Sequence, residues 1–94
     1  MKSFDTINKN FVAFVIEKVL LDINNDMHSL VKKRLMDDYH LTFSDCYGNP
    51  EYLSLILKDL FGDSYATIVD NIRTMLKEHA TNTNIDKFIQ ILSK

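Results

Sequence analysis

Ninety-four residues, 46% hydrophobic and 26% charged, describe one ordered domain (residues 1–94) with a single modest core. Two glycines and one proline are too few for a turn-rich all-β fold, so composition leans all-α. Eleven Lys/Arg against thirteen Asp/Glu leave a formal net charge of −2, which offers no general attraction to nucleic acid or an anionic membrane.

The first predicted helix runs from about Thr6 to Ile23. Val12, Val15, Ile16, Val19, Leu20 and Ile23 recur at helical spacing and define its inward face. Phe11, Phe14 and Leu21 fall outside that stripe, among Asn10, Glu17 and Lys18. An amphipathic helix does not need them there. Either the helix is central and covered on most sides, or the three form an apolar strip for a second copy or a partner helix.

Asn24-Asn25 separate this helix from the next, with Asn25 or Asp26 able to cap the free N–H groups. The second helix, about Asp26 to Tyr39, places Met27, Leu30, Val31, Leu35 and Tyr39 inward and Lys32, Lys33, Met36 and Asp37 outward. From His40 to Gly48 the helical period breaks, with a turn at Asp45-Cys46-Tyr47-Gly48 and Leu41 and Phe43 pegging the loop to the core.

Asn49-Pro50-Glu51 is the sharpest local signal. Asn49 suits a cap, Pro50 the first helical position and Glu51 the positive end of the helix dipole. Leu53, Ile56, Leu57 and Leu60 form the buried stripe of the third helix, and Gly62 closes it in a left-handed conformation. A fourth helix, capped by Asp63 or Ser64, spans about Ser64 to His79 with Tyr65, Ile68, Val69, Ile72, Met75 and Leu76 inward. The polar run Thr81 to Asn84 precedes a short fifth helix, about Ile85 to Leu92, capped by Asn84, with Ile85, Phe88, Ile89 and Leu92 on one side. The expected fold is a compact all-α bundle of four to five short helices.

Little in this pattern supports chemistry. Asp37, Asp38, His40, Asp45 and Cys46 gather ligand-type side chains without the paired spacing of a zinc site or the alternating oxygens of a calcium loop. Cys46 has no signature tying it to His28, His40 or His79, and no Gly-rich phosphate loop or nucleophile elbow is present. No catalytic residue, metal or cofactor is therefore expected. A lone Cys46 cannot form an internal disulfide; as a loop cysteine it is expected to be dispensable, in a reducing, cytoplasmic setting. No window reaches the roughly 18 apolar residues of a membrane span, and the N-terminal stretch lacks the apolar run of an export leader. Lys32-Lys33-Arg34 is the one basic run. It makes a helical nucleic-acid-binding regulator the alternative to a protein-interaction module, although Asp37 and Asp38 follow one turn later.

Glu17-Lys18-Val19-Leu20, the Leu-x-x-x-Tyr-x-Leu stretch at Leu35 to Leu41, Asn49-Pro50-Glu51 and Asp59-Leu60-Phe61-Gly62 together resemble the nitrosopumilus-type output domain, a small archaeal helical family. The similarity spans about Phe11 to Glu78. His40 stands where that pattern carries glycine after the tyrosine, and the Ser44–Gly48 loop carries Cys46-Tyr47 in place of a plainer turn. The resemblance implies a non-catalytic output or adaptor module that follows sensory domains, with no catalytic residues to transfer.

Overall fold

The computed structural model describes residues 2–79 and 83–93, and the side chains of 7–78 and 85–93. Five helices follow in order: α1 (Lys2–Ile23), α2 (Asn25–Tyr39), α3 (Pro50–Phe61), α4 (Tyr65–His79) and α5 (Thr83–Leu92). Single 3-10 turns sit at Ser44–Tyr47 and Gly62–Ser64, and no strand occurs among the described residues. The expected all-α bundle is what forms.

The longest element organises the rest. At 1.5 Å per residue α1 is about 33 Å long, matching the 34 Å long axis of the molecule. Val12, Val15, Ile16 and Leu20 are fully buried and Val19 nearly so, because α2, α4 and the Ser44–Tyr47 turn all pack on that face. Ile23, expected inward, is exposed. It is the last residue of the helix and lines an open hollow against Asn71, Thr74 and Met75 of α4.

Asn24, rather than Asn25 or Asp26, caps α2: its Oδ1 accepts the Asp26 N–H at 2.7 Å. Val31 and Leu35 are fully buried, whereas Leu30 is 39% exposed against expectation. One residue from Val31 is 100° around the helix, and only a narrow arc of α2 meets the core. The helix closes at His40, whose φ of 57° and ψ of 39° are left-handed. This is a conformation that glycine adopts without the steric cost a side chain brings.

The following loop is latched rather than loose. The Asp45 carboxylate accepts the Thr42 N–H at 3.0 Å and the Thr42 hydroxyl at 3.2 Å, and Lys9 of α1 pairs with it at 3.5 Å. Asn8 donates to the Tyr47 hydroxyl at 3.3 Å. Phe43 is buried as expected and Leu41 half-buried against the core. Cys46, expected as a dispensable loop residue, is fully buried, its Sγ 3.6 Å from the Thr42 carbonyl oxygen.

Pro50 opens α3 as expected. Asn49 occupies the cap position but makes no capping bond with its side chain; Nδ2 instead donates to the Asp45 carbonyl at 3.1 Å, tying the helix start to the loop. Leu53, Ile56 and Leu57 are buried, while Leu60 is only half-buried. Gly62 ends the helix at φ 54° and ψ −117°. The positive φ is as expected; the ψ lies outside the left-handed helical basin. The 3-10 turn then delivers the chain to α4 at Tyr65 rather than Ser64.

The Tyr65 hydroxyl joins three helices, bonding Ser54 Oγ of α3 at 3.0 Å and donating to the Leu92 carbonyl of α5. Ile85, Phe88, Ile89 and Leu92 are buried, and α5 packs on α3. Asn84 lies inside the first turn of α5 rather than capping it, and Thr81 and Asn82 fall outside the described residues.

Candidate functional site

The buried arc of α1 leaves its opposite side in solvent, and that side is not wholly polar. Ile7 is 64% exposed, Phe14 59% and Leu21 46%. Seven residues make almost two turns, with a drift of about 20° per step, so the three form a nearly straight row along the helix back. Phe11 does not join them: it is half-buried and packed against the core. The expected strip of Phe11, Phe14 and Leu21 therefore divides, one residue completing the core edge and two standing out. Ile7 was missed, although its place seven residues before Phe14 is a signal the sequence contains.

Phe14 and Leu21 line a shallow hollow of about 390 Å³ with Glu17, Lys18 and Asp22. Lys18 and Asp22 form an exposed (i, i+4) pair at 3.9 Å, a contact of modest stabilising value.

Beside this row runs the larger groove, about 620 Å³, between α2 and residues 41–44. Met36, Leu41 and Phe43 supply its apolar surface, Lys32, Lys33 and Asp37 line it from α2, and Glu17 closes it on the α1 side. Glu17 Oε1 lies 3.1 Å from His28 Nε2, and the His28 ring sits 5.3 Å from that of Phe43. Because Glu17 borders both hollows, row and groove form one continuous surface.

The basic run is split. Lys32 and Lys33 are exposed on the groove, and neither has an ion-pair partner among the described residues. Arg34 faces elsewhere: Nε holds Asp38 at 2.9 Å, and Nη1 reaches across to Asp59 of α3 at 3.0 Å. The hydrogen bonds it donates, first to Asp38 and then to Asp59, raise the guanidinium pKa above its ordinary value. Two carboxylates already occupy the cation a phosphate would need.

The ligand-type residues of the loop also separate. Asp37 lines the groove, Asp38 holds Arg34 and Asp45 holds the Thr42 turn. The Asp45 pKa is lowered, chiefly by the Thr42 N–H. Burial, and secondarily the Asp45 charge, pushes the Cys46 thiol up to about 12. A thiol so placed is protonated and shielded, the opposite of a nucleophile's environment. Among the described residues no three His, Cys, Asp or Glu side chains are placed to hold a metal ion, and no helix is long and apolar enough to cross a membrane.

No protein-family model, curated protein or solved structure matches this chain.

Proposed function

We propose that this chain is a non-catalytic protein-interaction module of the output or adaptor kind that the family resemblance implies, working in a reducing, cytoplasmic setting and binding through the outer face of α1. The observation carrying this is the exposed row Ile7, Phe14 and Leu21. Side chains of this size at these exposures present roughly 300 Å² of apolar surface, the lower end of the range for the largest apolar patch on a typical monomer, which is often functional. Covering it is worth about 7 kcal/mol gross, before the cost of association. The surface carries a recognisable apolar strip, whereas the nucleic-acid alternative retains only Lys32 and Lys33, too short a track for phosphates.

Phe14→Glu tests the proposal. Phe14 is mostly exposed, and glutamate is a good helix former, so helicity and cooperative melting should persist while association is lost. Ile16→Ala, in the fully buried face, should instead lower stability by about 2–5 kcal/mol. A folded Phe14→Glu chain that associates as the wild type does would remove the row from consideration.

A further inference from the structure

We infer that the partner of this face is a second copy of the chain, joined by a two-fold in which the α1 row of each copy lies in the groove of the other; this rests on the interaction reading above. The first reason is shape. An exposed apolar row, Phe14 and Leu21, and an apolar-lined groove, with Met36, Leu41 and Phe43, lie side by side. A two-fold axis between them exchanges row for groove, so one patch supplies both halves of the contact, as isologous dimers require.

The second reason is charge. Around row and groove stand Lys18, Lys32 and Lys33 against Glu17, Asp22 and Asp37. Three positive and three negative groups make a face that does not repel its own copy. The signs are also unevenly divided. On the α2 side Lys32 and Lys33, without ion-pair partners among the described residues, outnumber Asp37, while on α1 Glu17 and Asp22 outnumber Lys18. Exchanging the two sides brings the unpaired lysines of one copy to the α1 acids of the other, which favours and registers the pairing. A strongly acidic or basic partner would meet the wrong sign on one side.

The axis makes a distinctive mixing experiment possible. Each dimer has two equivalent row-into-groove contacts. Phe14→Glu breaks the row and Met36→Glu, at a side chain 46% exposed, breaks the groove. The wild-type chain should dimerise in sedimentation velocity, and each variant, folded by circular dichroism, should be monomeric with affinity lowered at least ~100-fold. A 1:1 mixture of the variants should partly recover dimer, because one contact in the mixed pair joins an intact row to an intact groove. A dimer lost with Phe14→Glu but kept with Met36→Glu, or a mixture as monomeric as its parts, would overturn row-in-groove pairing and leave the row as an interface. A wild-type chain monomeric at ~1 mM would overturn the second copy, leaving a foreign partner to the interaction reading. A dimer untouched by Phe14→Glu would sink both.

Discussion

Gly62 offers the cleanest separation of backbone from packing. An added Cβ at this position would meet nothing within 4 Å, so no steric clash contributes. What remains is the conformation, φ 54° and ψ −117°, a region that an L-residue enters at a cost of about 1–3 kcal/mol. Against this, Gly→Ala stiffens the unfolded chain and returns about 0.4–1 kcal/mol. Gly62→Ala should therefore lose about 1–2 kcal/mol net, which lowers Tm by roughly 5–15 °C for a chain of this size. Asparagine tolerates the left-handed helical basin but not this ψ, so Gly62→Asn should cost about as much as alanine. D-alanine at position 62, by chemical synthesis, should be tolerated, since its mirror-image preferences include this region. Gly48, with φ −89° and its nearest Cβ neighbour at 4.0 Å, is the internal control: Gly48→Ala should be neutral or slightly stabilising. Thermal melts followed at 222 nm by circular dichroism decide the matter. Equal melting of Gly62→Ala and the wild type would refute the strain account.

Tyr65→Phe should cost about 1–3 kcal/mol, because it strands the buried Ser54 hydroxyl and releases the Leu92 carbonyl; amide exchange should rise first in α5, and unchanged protection there would count against the three-helix tie. Cys46, held near 12 when folded and near 8.5 when unfolded, contributes stability that is complete below about pH 8.5 and is lost as pH rises through the folded value. Iodoacetamide at pH 8.5 should accordingly label it only after unfolding in urea; labelling of the native chain at a free-thiol rate would contradict the burial. Asp45 has the opposite sign. Its lowered folded pKa makes the wild-type advantage over Asp45→Ala full above about pH 4 and smaller as pH falls through the folded value, measurable as converging acid melts.

Helix existence was legible because each segment carries its own 3.6-residue period, and the punctuation at Asn24, Pro50 and Gly62 marks the breaks. How much of each face is covered was not. Periodicity groups Leu30 with Val31 and Ile23 with Leu20, but burial depends on how wide an arc the neighbouring helices cover. Partners distant in the chain were equally hidden. Nothing near Arg34 points to Asp59, 25 residues away, and without that contact Lys32-Lys33-Arg34 reads as one basic patch. Asn49 has the residue type of a cap, yet the Asp45 carbonyl competes for its side chain. Phe14 and Leu21 could be singled out from the helix pattern alone, whereas the groove beside them exists only once α1, α2 and residues 41–44 are assembled around Glu17.

The central position of α1 has a consequence for the order in which the chain is made. This helix emerges first, but α4, which covers part of its inner face, lies about fifty residues downstream. At roughly 5–20 residues per second, synthesis leaves Val12, Val15, Ile16, Val19 and Leu20 without that cover for about 3–10 s. During this interval the nascent helix is apolar on two sides, its future core and its outer row. Glu17, Lys18 and Asp22 then provide the charged interruptions between them. Charged residues that flank apolar stretches in this way limit premature sticking of a nascent chain.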